Sequence, residues 1–84
     1  MHWATHTFRE KQVEAHKITQ ALEPAGEGIV SFLCDDGRVY NPFALLVAGT
    51  FEVGAYFVQH HDSQNWHAEV VPADIFEAEA QPIE

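Results

Sequence analysis

The last third of the chain constrains its fold more than any other part. As strands, residues 55–60 would alternate Ala55, Phe57 and Gln59 on one face against Tyr56, Val58 and His60 on the other. Residues 66–71 alternate in the same way, and the polar stretch 61–65 separates the two segments. This pattern predicts a β-hairpin. Pro72 ends the second strand because it has no N–H to donate, and Asp74 lies where a carboxylate stabilises a helix N-terminus. We therefore expect strand, turn, strand and short helix. The helix side chains expected to pack on the sheet are Ile75, Phe76 and Ala80.

Residue type also predicts two strands and a tight turn upstream. Residues 12–19 favour a strand, and residues 29–34 are rich in side chains that suit a pleated sheet. Asp36 and Gly37 follow, and this pair can adopt the positive φ angles of a type I′ turn. Residues 38–40 would then return as an antiparallel partner.

Residues 43–48 allow two interpretations. Asn41 and Pro42 resemble a helix N-cap and first helical position, and Gly49 stands where a helix would stop. A short helix fits these signals. The apolar run over residues 45–47 equally suits a buried strand, and the period of the pattern does not separate the two.

Length and composition bound the architecture. Eighty-four residues, of which 46% are hydrophobic, are enough for one small domain that covers residues 1–84. The predicted fold is α+β and mainly β: a small curled antiparallel sheet of about 4–5 strands with a short C-terminal helix. Residues 1–7 are expected to form an N-terminal arm and residues 78–84 a C-terminal tail.

The charge distribution limits the partners. The net charge is −9, and no Lys or Arg follows Arg38. Because the acidic second half repels phosphate backbones and anionic lipid, we expect no direct nucleic-acid binding and no membrane association. No apolar run approaches the ~20 residues that cross a bilayer. Either a solvated acidic surface or an acidic face for a basic partner accounts for the charge.

Six histidines raise the question of a metal site. His60 or His61 could join His67 and Asp62 at the end of the hairpin, but adjacent strand residues point to opposite faces, so only one of the pair can face His67. The chain has no cysteine pair and no His-Glu-x-x-His motif. We predict no metal and no cofactor, and a small metal-binding protein is the third alternative for function.

Cys34 is the only cysteine, so a disulfide within the chain is excluded. The carboxylates of Asp35 and Asp36 beside it would raise the pKa of the thiol, which disfavours a nucleophile. We therefore expect a buried, inert thiol. No catalytic residue is predicted, and the protein is not expected to be an enzyme.

Short motifs along the chain carry a family resemblance. The motifs are Val13-Glu14-Ala15 with Ile18-Thr19, Asp36-Gly37, Gly54-Ala-Tyr-Phe-Val58 and Pro72-Ala-Asp-Ile-Phe-Glu77. In these motifs the chain resembles small tailed-bacteriophage and prophage proteins of unassigned function. It departs from their pattern at residues 61–65, where an acidic Asp-Gly-Tyr turn is usual, and at Val71, which replaces a capping Ser or Asn. The resemblance implies a phage origin and carries no catalytic residue to this chain.

The resulting functional prediction is a non-enzymatic phage accessory protein that binds another protein. In one version an acidic face inhibits a host or defence factor; in the other the chain is a virion component, such as a capsid-decorating or head–tail accessory subunit. The expected location is the host cytoplasm or the virion. The sequence leaves open whether the chain forms a homo-oligomer. The predicted partner-binding residues are Trp66, His60, His61, His67, Glu69, Glu77 and Glu79.

Overall fold

The computed structural model describes residues 3–61 and 65–83. Its strands are β1 (His6–Phe8), β2 (Lys11–Leu22), β3 (Ser31–Cys34), β4 (Val39–Tyr40), β5 (Val47–Ala48), β6 (Tyr56–His61), β7 (Trp66–Val71) and β8 (Ala80–Pro82). A 3₁₀ turn, Ala44–Leu46, precedes β5, and the helix α1 (Ala73–Glu79) lies between β7 and β8.

Within the described residues, the eight strands form one mixed sheet. The main path runs β4-β3-β2-β6-β7-β5, and β1 pairs with both β2 and β8. β5 runs parallel to β7, and the two strands are not joined by a hairpin, because β6 lies between them in the chain. The predictions of a mainly β fold, a curled sheet and a short C-terminal helix are confirmed. The prediction of 4–5 strands, all antiparallel, is wrong.

The additional strands are too short for a sequence pattern to reveal. β5 has 2 residues, and β1 and β8 have 3 each, whereas β4 lies within the predicted returning strand, residues 38–40. So few residues cannot display alternation, and they are strands because a neighbouring strand holds them in register. β1 comes partly from the predicted arm and β8 from the predicted tail. They pair at His6–Pro82, Thr7–Gln81 and Phe8–Ala80.

β2 is the strand that joins the different parts of the sheet. Its 12 residues pair first with β1, then with β6 and finally with β3. The register shifts between Ile18 and Gln20, where the pairing with β3 is irregular. A bulge of this kind bends a strand and increases its twist, so β2 can belong to both halves of a curled sheet.

Side chains on the two faces of the central strands pack into two separate core clusters. Successive strand residues point to opposite faces, so on β6 Phe57 enters one cluster and its neighbour Val58 enters the other. The first cluster consists of Ile18, Phe32, Cys34, Val47, Ala55, Phe57, Ala68 and Val70. The second consists of Phe8, Val13, Ala15, Val58, Val71 and Phe76.

The turn chemistry differs from the prediction at Asp36 and Gly37. Gly37 has a positive φ of 82°, whereas Asp36 does not, so the type I′ assignment is wrong. The Gly37 N–H donates to the Cys34 carbonyl at 3.0 Å, and the Cys34 N–H donates to the Arg38 carbonyl at 3.1 Å. This pattern is a β-turn followed by a left-handed glycine, which is the second common hairpin type.

Two consecutive positive φ angles occur instead at Arg9 and Glu10, with values of 51° and 67°. These residues connect β1 to β2, where Phe8 pairs with Lys11. Neither side chain favours the left-handed region, which costs about 1 kcal/mol or more for each residue. The burial of Phe8 and the pairing of β1 with two strands hold the turn in this conformation.

The C-terminal hairpin and helix match the sequence pattern closely. β7 has the predicted bounds, β6 lies one residue later than predicted, and α1 follows Pro72 directly. Phe76 is 1% exposed, as expected for the packing side of the helix, whereas Ile75 is 38% exposed. The prediction that Ile75 packs on the sheet is therefore wrong, because adjacent helix positions are about 100° apart and only one of the two can face the core.

Candidate functional site

The hairpin of β6 and β7 distributes the predicted partner-binding residues over two faces. His60 lies opposite His67, and His61 lies opposite Trp66. Because neighbouring residues alternate between faces, the first pair and the second pair point in opposite directions. Only one of the adjacent histidines therefore shares a face with His67, as the sequence indicates.

On the first face, a histidine pair is tied to a carboxylate. His60 is buried, and its Nε2 lies 2.8 Å from Oε2 of Glu69. The rings of His60 and His67 stack with centroids 4.7 Å apart and planes 5° from parallel. Three of the predicted binding residues thus contact one another, and their role in binding a partner stays a prediction.

The other predicted residues also have contacts within the chain. Trp66 is half-buried and packs against the first core cluster, with its ring centroid 6.3 Å from that of Phe57. On α1, Glu77 accepts a hydrogen bond of 3.1 Å from the Tyr56 hydroxyl, and Glu79 pairs with Arg9 at 3.0 Å. Both contacts are exposed to solvent, which weakens them, so both carboxylates remain accessible to a partner.

On the second face, carboxylates and imidazoles form a connected network. Glu14 bridges two histidines: one oxygen lies 3.1 Å from Nε2 of His16 and the other 3.1 Å from Nε2 of His61. Asp36 Oδ2 lies 3.6 Å from the same His16 nitrogen and accepts a hydrogen bond of 2.6 Å from the Tyr40 hydroxyl. The sequence did not suggest this group, because its members come from β2, β4, β6 and a turn.

The network shifts the pKa of its end members. Burial and the neighbouring Asp36 carboxylate raise the pKa of the Tyr40 hydroxyl above its usual range. Burial opposes the charge on Asp36, but hydrogen bonds from Tyr40 and from the Arg38 N–H outweigh it and lower the pKa of that carboxyl. Asp36 is therefore an anion that Tyr40 stabilises.

The described side chains do not assemble a metal site. Across residues 3–61 and 65–83, no group of three or more His, Cys, Asp or Glu side chains is arranged to hold a metal ion. Asp62, which the zinc alternative requires, lies outside the described residues. Within the described part of the chain, the carboxylates of the network position the two imidazoles and do not converge with them on a common point.

Cys34 is buried in the first core cluster, as predicted. Burial, together with the Asp36 and Asp35 carboxylates, raises the pKa of this thiol to about 12. A nucleophilic cysteine requires the opposite shift, because the thiolate is the reactive species.

We expect the Cys34 thiol to react very slowly with Ellman's reagent in the folded protein. The pKa rises from 9.0 to about 12, so at pH 8 the thiolate fraction falls about a thousandfold relative to the unfolded chain. Rates measured with and without 6 M guanidinium chloride test this, with glutathione as a control for the reagent. Equal rates in the two conditions would contradict the burial of the thiol.

A second candidate site is an exposed apolar segment that we call the apolar loop, residues 43–46. Leu45 is 99% exposed, and Phe43 and Leu46 are exposed as well. These residues line a cleft of ≈ 530 Å³ together with Glu27 and Gly28. The cleft is open to solvent, so it offers a shallow apolar surface on which side chains of a partner can pack.

The backbone of the apolar loop is held on both sides. The Ala44 N–H donates to the Gly28 carbonyl at 2.9 Å, and the Leu46 N–H donates to the Phe43 carbonyl at 3.0 Å. After the loop, Val47 is buried and pairs with Ala68 of β7. The exposure of Leu45 thus belongs to a fixed backbone conformation.

Residues 43–48 contain a part of each of the two predicted structures. A single 3₁₀ turn begins at Ala44, and β5 begins at Val47. Neither interpretation anticipates that the turn side chains face solvent. The one sequence signal was a run of apolar residues between Pro42 and Gly49 that fits neither helical nor strand periodicity well.

No protein-family model, curated protein or solved structure matches this chain. Among the residues that the structure describes, no helix has the length and apolar character needed to cross a bilayer.

Proposed function

We propose that the chain is a non-enzymatic accessory protein that binds another protein through the apolar loop. The observation that carries this proposal is the side chain of Leu45, which is 99% exposed although the backbone around it is hydrogen-bonded in place. Single exposed apolar residues are common on protein surfaces. Here three large ones, Phe43, Leu45 and Leu46, line the same cleft.

The energetics of the apolar loop favour a binding role. Burying a leucine side chain contributes about 1.5–3 kcal/mol, and this contribution is unused while Leu45 faces water. A segment that is already ordered loses little conformational entropy when it binds, so more of the burial energy appears as affinity. Apolar anchors at the centre of an interface commonly provide most of the binding energy.

The acidic composition and the family resemblance limit the kind of partner that the protein binds. The chain has a net charge of −9, which disfavours nucleic acid and anionic lipid as direct partners. The phage-like motifs suggest a partner in the infected host or in the virion. The protein would then inhibit a host or defence factor, or act as a capsid-decorating or head–tail accessory subunit. The raised pKa of Cys34 agrees with a role without nucleophilic catalysis.

Photo-crosslinking at Leu45 tests the proposal. We expect p-benzoylphenylalanine at this position to form one discrete adduct in infected-cell lysate or in purified virions, identified by mass spectrometry. The matched control is the same residue at Val39, which is also apolar and exposed but lies in β4, away from the apolar loop. An adduct with a host protein supports the inhibitor version, and an adduct with a virion protein supports the structural version. The absence of an adduct at position 45, or equal adducts at both positions, would refute binding through the apolar loop.

A further inference from the structure

We infer that the partner presents an amphipathic α-helix whose apolar stripe is flanked by Lys and Arg, and that this helix docks in the cleft beside the apolar loop. The inference rests on the proposed function and specifies the chemistry of the partner. Three properties of the cleft support it: its lining, its charge, and the use of its backbone hydrogen-bond groups.

The lining of the cleft fits the side chains of a helix. Phe43, Leu45 and Leu46 provide a contiguous apolar surface. An amphipathic helix presents apolar residues at positions i, i+3, i+4 and i+7, so several of its side chains can enter one short groove at once.

The backbone of the apolar loop argues against the addition of a partner strand. Strand addition needs unpaired N–H and C=O groups along an edge. At this site the N–H groups of Ala44, Leu46 and Val47 donate to Gly28, Phe43 and Ala44 respectively. Val30 N–H also donates to the Pro42 carbonyl just before the loop. The N–H groups of Ala44, Leu46 and Val47 are occupied within the chain, so the loop offers a partner mainly its side chains, which is the mode that a docked helix uses.

The charge of the cleft favours a basic partner. Glu27 is the charged residue that lines it, and no Lys or Arg of the described chain takes part in the lining. The four basic residues lie elsewhere: Arg9 pairs with Glu79, Lys11 pairs with Phe8 at the start of β2, Lys17 lies over the ring of Tyr56, and Arg38 lies at the opposite end of the β3–β4 hairpin. Positive residues beside the helix stripe would therefore meet Glu27 and the negative field of the chain without local repulsion.

The same charge disfavours a second copy of the chain as the occupant. Two copies would bring together two molecules that each carry a net charge of −9. Their mutual repulsion opposes association unless an interface contributes compensating contacts. A helix with Lys and Arg beside its apolar stripe is attracted by the negative field of the chain, whereas a second copy of the chain is repelled by it.

A titration with two designed peptides tests the inference. Both are 14-residue helices with the same leucine stripe; one carries Lys at the flanking positions and the other carries Glu. We expect the Lys peptide to shift the backbone NMR signals of residues 27–28 and 43–46 of the full chain. We expect the Glu peptide to bind at least about tenfold more weakly.

Matched variants separate docking from general attraction to an acidic protein. Leu45→Ser should weaken binding of the Lys peptide at least about tenfold, as expected for a central apolar anchor. Glu27→Gln should weaken it about threefold and reduce its dependence on salt. Val39→Ser, at an exposed apolar residue of β4, should leave binding within about twofold, because this residue is not part of the cleft.

Each contrary outcome has a distinct meaning. NMR shifts centred on α1, or equal affinity for the two peptides, would overturn the docked basic helix. A dimer in solution that Leu45→Ser abolishes would replace the helix with a second copy of the chain. If crosslinking at Leu45 identifies a partner but neither peptide binds, the proposed function stands and only the helix inference fails. If that crosslinking also fails, the proposed function falls with it.

Discussion

Replacing Phe76 with alanine should lower the free energy of unfolding by about 3–5 kcal/mol, the usual range for a buried phenylalanine. The Phe76 side chain is 1% exposed and joins three parts of the molecule. Its ring stacks on Tyr56 of β6 with centroids 4.3 Å apart and lies 5.1 Å from the ring of Phe8 in β1. It is also the buried residue of α1.

The loss should be large relative to the total stability of so small a domain. Single domains are stable by about 0.05–0.15 kcal/mol per residue, so this substitution removes much of the margin. A helix of 7 residues has no stability of its own, and α1 depends on packing through Phe76. Urea denaturation followed by circular dichroism measures the change; a melting temperature lowered by about 12 °C or more, at about 4–8 °C per kcal/mol, would agree with it.

Ile75→Ala is the matched control for this prediction. Ile75 precedes Phe76 on the same helix but is 38% exposed, so its truncation should cost less than about 1 kcal/mol. Both substitutions introduce alanine into the same helix, so a difference between them reflects packing. Equal losses would mean that α1 is rotated about its axis relative to the described arrangement.

Gly49→Ala should destabilise the protein by about 3 kcal/mol or more, through backbone strain and a steric clash together. Gly49 follows β5 and has a φ of 97°, which L-residues rarely adopt. A Cβ atom at this position would lie 2.7 Å from the carbonyl oxygen of Val70 in β7. The carbonyl belongs to the backbone of the sheet, so relief of the clash requires β5 to move away from β7.

Gly37→Ala separates the two causes of this loss. Gly37 also has a positive φ, of 82°, but no described atom lies within 4 Å of a Cβ placed there. We expect only the conformational cost of about 1 kcal/mol at this turn. Parallel urea denaturation of the two variants gives the comparison, and similar losses would show that Gly49 is not closely packed against Val70. Because the apolar loop leads into β5, Gly49→Ala should also reduce the crosslinking yield at Leu45.

The sequence predicted those parts of the fold whose signals are local and long enough to repeat. The alternation over residues 66–71 matches β7, and Pro72 marks the start of α1. The burial of Cys34 and the raised pKa of its thiol were expected from its apolar neighbours on one side and its acidic neighbours on the other. The type I′ turn at Asp36 and Gly37 was wrong because glycine there permits several turns, and the hydrogen bonds of the hairpin choose among them.

The candidate sites could be predicted only in part, because they combine distant segments. One of His60 and His61 was expected to share a face with His67, since two-residue periodicity allows only one of two adjacent strand residues to do so, and the structure shows that it is His60. The link from Glu14 to His16 and His61 spans two strands that no short motif connects. Exposure of an apolar run likewise has no local signature, because whether a side chain is buried depends on what packs above it.

By itself, the sequence determined a mainly β chain with a C-terminal hairpin and helix, a buried thiol and a strongly acidic composition. These properties depend on residue type, local periodicity and charge, which are present in any short segment. Only the tertiary structure decided that β1 and β8 pair, that β5 is parallel to β7, and that Leu45 faces solvent on a fixed backbone. Each of these features depends on contacts between segments far apart in the chain. The free energy of such contacts depends on how the whole molecule packs, so residue type and local periodicity do not predict them.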